Sequence, residues 1–326
     1  MRYIDNVNII YIFANMNIQQ FQYVLAVVDF KNFELAAQHC YVTQSTLSTM
    51  IFRFEDEIGI KIFNRKTRPV TITKEGEVII DRLRILNNEF ISLKSVIQEL
   101  KGDDVGELRM GIIPTIAPYL LPLFLPTFAK QYPRIKIIIK EMTTHDIVLS
   151  LKRRTLDVGL LALPIEDSEL VEREMFKEPF LVYDCSKREK PQRYSTNSID
   201  YSKLWLLQEG HCLRTQVYHI CEQAKLKMKH NVNFEFESGS MDSLLRFTKA
   251  NNGQTIIPFL ASLDFPKEEK TNIVKFNKPA PARSVGLITH KFFVKKKLTN
   301  KLAEIIKDAV LSKLPKNEET LIIKPL

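Results

Sequence analysis

Residues 79–100 dictate the plan of the whole chain. Ile79, Leu83, Leu86, Phe90, Leu93, Ile97 and Leu100 are spaced 4, 3, 4, 3, 4, 3. This is the a/d seam of a coiled coil held for about three heptads, and Gly102 and Gly106 close it as helix breakers. A helix with an apolar seam either lies on the core of its own domain or needs a second helix opposite. With no obvious partner nearby, a second copy of the chain is the expected source. The seam also divides the sequence. Before it, apolar residues recur at helical spacing; after it, short β-branched runs alternate with helical stretches. At 326 residues more than one core is expected in any case.

Three helices are expected ahead of the seam. Ile18, Phe21, Leu25 and Val28 mark the first, over residues 17–30. Asn32 can cap a short second helix that turns Leu35, Ala36, Ala37 and Cys40 inward. Thr43 can cap a third, residues 44–58, with Leu47, Ile51 and Phe54 on its inner face and Gly59 to end it. Residues 63–73 read as a two-stranded wing with Pro69 at its turn or edge. Small Ala36 and Ala37 suit a close helix crossing, and Ser45, Thr46, Ser48, Thr49 and Arg53 supply a polar outer face. Together they satisfy what a DNA-reading helix-turn-helix requires. A three-helix protein-binding module with a solvated face is the competing reading.

Charge supports the DNA reading only locally. The chain carries a formal +9, but residues 16–101 hold 11 Lys/Arg against 10 Asp/Glu. Much of the excess lies later, including Lys291, Lys295, Lys296 and Lys297. The wing is different: Lys61, Arg65, Lys66, Arg68 and Lys74 occur with no acidic residue among them, which suits phosphate contacts.

Behind the seam, residues 108–112, 135–139, 158–161, 180–182, 205–207 and 255–257 look like strands. Helical segments lie between them at 121–131, 146–153, 213–225 and 241–251. Such alternation predicts an α/β domain with mostly parallel sheets, divided into two lobes around a cleft. The expected organisation is an extension 1–15 ahead of a second methionine, Met16, then a DNA-binding domain 16–73 and a linker dimerisation helix 74–105. A regulatory domain 106–315 and a tail 316–326 follow. The most apolar stretch, residues 116–129, is broken by Pro118, Pro122 and Pro126, and no run is long enough to span a membrane. The start lacks the marks of a secretion signal. With four cysteines, the expected setting is a reducing cytoplasm.

Two of those cysteines stand nine positions apart in LLQEGHCLRTQVYHICEQAK. Cys212 opens a helix, with His211 and Arg214 adjacent, and a helix N-terminus with nearby cations favours thiolate. A thiolate attacks peroxide and becomes sulfenic acid. Cys221 shares an apolar face with Leu213, Val217, Ile220 and Ala224. In a continuous helix nine residues separate the Cα atoms by about 13–14 Å, and a disulfide needs them within about 7 Å. Bonding the pair therefore requires local unwinding, as a switch segment would. Spacing alone leaves the alternatives open: two unreactive thiols, or a metal site of Cys212, His219 and Cys221. The metal reading is disfavoured by its loose spacing, and no metal or cofactor is expected. Cys40 and Cys185 read as small apolar core residues.

The run FELAAQHCYVTQSTLSTMIFRFEDEIGIKIFNRKTRPVTITKEG resembles the DNA-binding signature of the LysR-type regulators. The rest of the chain resembles that family's plan: winged helix-turn-helix, linker coiled coil, and a two-lobed α/β domain like a periplasmic binding protein. The resemblance implies a transcription regulator rather than an enzyme. It also implies homodimers paired into a homotetramer on promoter DNA, with RNA polymerase as a further partner. By position, Ser45, Thr46, Ser48 and Thr49 face bases or nearby phosphates, and Arg53, Arg65 and Arg68 hold the backbone. Ser45 stands where many members carry proline. The regulatory half is similar to the hydrogen-peroxide-sensing members of the family. GHCLR with a second cysteine nine residues on is their sensor motif, which implies that Cys212 is the peroxidatic thiol and Cys221 the resolving one. A thiol reductant then resets the pair. MGIIPTIAPYLLP and EMTTHDI match the segments that place two peroxide-binding threonines, Thr115 and Thr144. His211, Arg214 and Arg283 (in PARSVGL) fall where such members pack polar groups around the sulfur. Thr215 departs from the pattern, standing where aspartate is usual, so a carboxylate near Cys212 is missing. A regulator taking a small organic effector between its lobes is the alternative; a thiol peroxidase is a third reading, which the helix-turn-helix opposes.

Overall fold

The computed structural model describes residues 16–100, 105–186, 189–221, 236–316 and 318–325. The extension 1–15, the breaker Gly102 and residues 222–225 of the expected helix lie outside them, as does the Leu100 side chain. The chain divides into one unit of Met1–Ser95 with Arg153–Thr155 and another of Val96–Lys152 with Leu156–Leu326.

In the first unit each helix begins at a side chain suited to start it. α1 (Ile18–Phe30) opens on a capping box, in which Asn17 Oδ1 accepts from the Gln20 N–H and Gln20 Oε1 from the Asn17 N–H. Asn32 caps α2 (Phe33–His39), accepting from the Glu34 and Leu35 amides. Thr43 caps α3 (Gln44–Ile58), which ends at Gly59 with φ +67°, where glycine carries no Cβ penalty. Val24, Val27, Ala36, Ala37, Leu47, Ile51 and Phe54 form the core. Leu35 is not among them: it is 47% exposed. The seven residues of α2 present one narrow inner face, filled by Ala36 and Ala37, and Leu35 lies one position round the helix from it. Cys40 is the C-cap of α2, half-buried and packed against this core. β1 (Phe63–Asn64) and β2 (Thr71–Ile72) pair antiparallel, with Phe63 opposite Ile72, and Pro69 lies in the connection.

α4 (Lys74–Leu100) uses its seam in two ways. Leu83 is buried in the core of this unit and Ile79 packs against it, so the start of the seam serves its own domain. Further on, Leu86, Leu93 and Ile97 are exposed.

The second unit contains β3 (Gly106–Ile112), α5 (Ala117–Gln131), β4 (Ile135–Glu141), α6 (Thr144–Lys152), β5 (Val158–Leu163) and β6 (Leu170–Asp184). After them come β7 (Arg193–Tyr194), α7 (Cys212–Ile220), α8 (Met241–Ala250), β8 (Gln254–Pro258), α9 (Lys267–Lys270) and β9 (Ile273–Phe276). β10 (Ala280–His290), α10 (Lys296–Leu311) and β11 (Thr320–Ile322) complete it. The sheet is mixed, in the order β4-β3-β5-β10-β6-β9-β7, with β11 on β10 and β8 on β6. β3 pairs parallel with β4 and β5, as the βαβ alternation predicts. The expectation of mostly parallel sheets fails at β6 and β10, which run antiparallel to each other, and β10 also runs antiparallel to β5. Residues 205–207, expected as a strand, form none: Leu207 makes an isolated bridge to Ser238, and Leu204 just ahead of them makes one to Gln254.

β6 and β10 pass through two separate cores, the two lobes expected. Leu170, Met175 and Phe176 join Leu108, Phe124, Phe128, Ile147, Val158 and Leu302 in the first. Phe180 to Tyr183 join Trp205, Leu213, Val217, Leu244, Ile256 and Phe276 in the second. The expected tail instead supplies β11, parallel to β10 at Ala280–Ala282. Beyond it, the Ile323 and Lys324 carbonyls meet Gln216 Nε2 (2.9 Å) and His219 Nδ1 (3.3 Å) of α7. Among the described residues no helix is long and apolar enough to cross a membrane.

Candidate thiol site and nucleic-acid interface

Cys212 is the first residue of α7. The chain enters that helix through Gly210, whose φ of +90° is a conformation other residues rarely adopt. His211 is the N-cap and makes no side-chain capping bond, so the first amides of the helix are left to the sulfur. The Cys212 thiol is buried against the first core. Burial raises its pKa above the ordinary thiol value; against that act the Arg283 guanidinium, the Thr144 hydroxyl and the Leu213 and Cys212 amides.

The cation at the sulfur is therefore Arg283, not the sequence neighbours. Burial lowers the His211 pKa below its ordinary value, which disfavours a charge on this ring. Arg214 turns away: it donates to the Leu207 carbonyl (2.9 Å) and lies over the Tyr218 ring. Arg283 sits on β10 with no exposed surface. Its Nε donates to Glu178 Oε2 (2.8 Å), and its remaining nitrogens to Thr115 Oγ1 (3.0 Å) and the Thr115 carbonyl (3.1 Å). Glu178 stands directly across from it on β6, also fully buried, and its Oε1 accepts from the Leu260 amide at 2.7 Å.

Thr115 and Thr144 arrive from different elements, the β3–α5 connection and the start of α6, and both are buried. The Thr115 hydroxyl accepts from Arg283, which leaves its own hydrogen to donate elsewhere. Thr144 Oγ1 has no fully formed hydrogen bond among the described residues; its contact is with the Cys212 sulfur, where it favours thiolate. Tyr119 closes the group. Burial first, then Asp242 and Glu178, push its phenol up to about 12 against the opposing pull of Arg283. The sequence thus anticipated Cys212, Thr115, Thr144 and Arg283 at one place. It missed Glu178 and Tyr119, and it looked to His211 and Arg214 for the charge that Arg283 brings to Cys212. Thr215 is half-exposed.

Cys221 lies at the other end of α7. The helix stops at Ile220, and Cys221 is its C-cap, with its N–H on the Val217 carbonyl at 2.9 Å. Its side chain belongs to the second core, beside Leu213, Val217 and Ile220. Burial pushes its thiol up to about 12. Both thiols are free, and the intact helix holds their Cα atoms on the order of 13 Å apart. No cluster of His, Cys, Asp or Glu among the described residues could hold a metal ion.

On the other unit, Ser45, Thr46, Thr49 and Arg53 are exposed along α3, and Arg68 is exposed on the wing. Ser48 is half-buried and accepts from Arg65 at 2.9 Å. Arg65 also bonds Glu55 Oε2 at 3.2 Å and covers the Phe33 ring. Glu55, buried, accepts the Ile62 and Phe63 amides on its other oxygen (2.7 and 3.1 Å). It ties the wing to α3 and holds Arg65 at the edge of the reading face. Its position four residues after core Ile51 is the one signal that could have revealed it.

Comparison with known proteins bears on the family and the fold. Residues 18–77 match the bacterial regulatory helix-turn-helix protein, lysR family, and residues 101–311 match the LysR substrate binding domain. The chain is 32% identical over 278 residues to the DNA-binding transcriptional dual regulator OxyR of Escherichia coli K12, covering 84% of this chain and 89% of that protein. It is 31% identical over 285 residues to the HTH-type transcriptional regulator EstR of Acinetobacter baylyi, covering 84% and 91%. A full-length OxyR variant of Pseudomonas aeruginosa superposes with a TM-score of 0.71 at 26% identity, covering 90% of this chain and 98% of that one.

Proposed function

Because the chain belongs to the LysR family of bacterial regulators, we propose that it is a hydrogen-peroxide-responsive transcription regulator switched at Cys212 and Cys221. The observation that carries this reading is the gathering of a buried thiol, one guanidinium and two threonine hydroxyls at the head of α7, with a second buried thiol at its end.

In the first step Cys212, as thiolate, attacks one peroxide oxygen. The O–O bond breaks, sulfur loses two electrons, Cys212 becomes sulfenic acid and hydroxide leaves. The Thr115 and Thr144 hydroxyls orient the peroxide, and Arg283 stabilises negative charge as it moves from sulfur to the leaving oxygen. In the second step Cys221 attacks the Cys212 sulfur, water leaves and the disulfide forms. Cys221 cannot reach Cys212 from its seat, where burial also disfavours its thiolate, so this step follows the opening of α7. A thiol reductant returns the pair to two thiols.

The first unit delivers the output in the cytoplasm. α3 enters the major groove of promoter DNA with Ser45, Thr46 and Thr49 toward it; Arg53 and Arg68 contact phosphates, and Arg65 keeps Ser48 in place. The exposed half of the α4 seam pairs two chains, two such pairs make a tetramer, and the redox state of α7 sets how it engages the promoter and RNA polymerase.

The test is direct. Reduced protein is treated with one equivalent of hydrogen peroxide, and its thiols are mapped by mass spectrometry. Cys212 and Cys221 should be joined, and Cys212→Ser should keep DNA binding but lose the peroxide-dependent footprint. An untouched Cys212 thiol refutes the reading and leaves a small organic effector as the signal.

A further inference from the structure

We propose that Glu178 is the positioning residue of the thiol site: it fixes the Arg283 guanidinium and, through it, the Thr115 hydroxyl against Cys212. The inference deepens the peroxide reading and rests on it. A guanidinium with no exposed surface cannot remain in an apolar core without a counter-charge and a full set of acceptors. Glu178 supplies the counter-charge from the facing position of the neighbouring strand. Its Oε2 takes Arg283 Nε, while its Oε1 is held by the Leu260 amide, whose side chain packs in the same core as Cys212. The carboxylate is thus anchored on one oxygen and steers with the other.

Bonds to Glu178 and to both Thr115 oxygens fix the plane of the guanidinium. With Thr115 Oγ1 committed as acceptor, its hydrogen becomes a donor aimed elsewhere. Glu178 bonds Arg283 and the Leu260 amide rather than the sulfur, so it acts through Arg283. It also weakens what Arg283 does: a neutralised pair draws a thiol toward thiolate less than a lone cation would. The charged and titratable groups around the sulfur are Arg283 on β10, Glu178 on β6, Tyr119 on α5 and Asp242 on α8, with His211 and Arg214 at the head of α7 itself. Of these, Glu178 alone bonds the cation that reaches Cys212.

The test uses full-length reduced protein and two variants. Thiolate is read from its ultraviolet absorbance as the difference between each protein and its Cys212→Ser counterpart across pH. Glu178→Gln removes the counter-charge and leaves Arg283 uncompensated, so the Cys212 midpoint moves to lower pH, with about tenfold more thiolate at pH 7. An unmoved midpoint in a folded Glu178→Gln protein overturns the proposal. Glu178→Asp keeps the charge but draws the guanidinium out of place; its midpoint stays near the parent's while Cys212 oxidation by peroxide slows at least severalfold. Oxidation at the parental rate in Glu178→Asp also overturns it, because a purely structural carboxylate would change melting and not rate. The absorbance titration needs no peroxide, so it reads Glu178 even if the parent proves unresponsive to peroxide.

Discussion

Replacing Ile220 by valine tests whether α7 must open before the disulfide can form. Ile220 is 4% exposed in the second core, beside Leu213, Val217 and Cys221. α7 has nine residues, too few to hold as a helix without tertiary packing, so this cluster is what keeps it wound. Ile220→Val removes one buried methylene, a loss of about 0.5–1.5 kcal/mol. If opening precedes disulfide formation, that loss enters the opening equilibrium and speeds the second step by about two- to about thirteenfold. The first step should be unchanged, because Cys212 sits at the other end of the helix and in the other core. The assay is a peroxide pulse, acid quench at intervals, alkylation and mass spectrometry, which counts sulfenic acid and disulfide separately. Val310→Ala, an equally buried change in the first core, serves as the control for general destabilisation. Parental disulfide kinetics in Ile220→Val, or equal acceleration by Val310→Ala, would refute the requirement for local opening.

Three further outcomes follow from the same contacts. Cys221 has its thiol raised from 9.0 to about 12 in the fold, so its contribution to stability is complete below about 9 and is lost as pH climbs through about 12; the melting temperature should fall more steeply over that window in the parent than in Cys221→Ala. Glu55→Gln disturbs the acceptor shared by the Ile62 and Phe63 amides and the bond to Arg65. It should cost about 1–3 kcal/mol, seen as an earlier thermal transition with weaker DNA binding, whereas Arg53→Ala should leave melting unchanged and reduce the salt slope of DNA binding by about 1. Truncation before Thr320 removes the carbonyls that hold Gln216 and His219, so α7 amides should exchange with deuterium faster; protection equal to the parent would exclude that role for the C-terminal segment.

Local chemistry made the first unit readable. Asn32, Thr43 and Gly59 mark helix ends by side chains that act within a few residues, and all three stand where the sequence put them. Leu35 was misplaced because a two-turn helix shows its inner face only when its neighbours are known. The regulatory half was less legible for a related reason. β6 carries Glu172, Arg173, Glu174, Lys177 and Glu178 through its first half, which hides its strand character, and its partner β10 lies more than a hundred positions away. The same distance concealed the Arg283–Glu178 pair, since each charge looks anomalous until the strands are set side by side. Cys212 was found by its motif, but its neighbours in space could not be read from those in sequence: His211 and Arg214 are adjacent in the chain, whereas the cation that lowers the Cys212 pKa is the remote Arg283.

The division of the two thiols between separate cores sets a direction for the reverse reaction. A disulfide leaves at most one sulfur in its seat, so the oxidised protein forgoes packing that the reduced protein enjoys. That difference belongs to the redox couple: each 1.4 kcal/mol of packing recovered on reduction raises its potential by about 30 mV. On the proposed mechanism the disulfide would therefore be more oxidising than an unstrained one and would yield to weaker reductants. In the proposed cycle, recovery would be driven by the collapse of α7 back onto Leu213, Val217 and Ile220, which would place the duration of the signal in the hydrophobic side of the helix rather than in its sulfur chemistry.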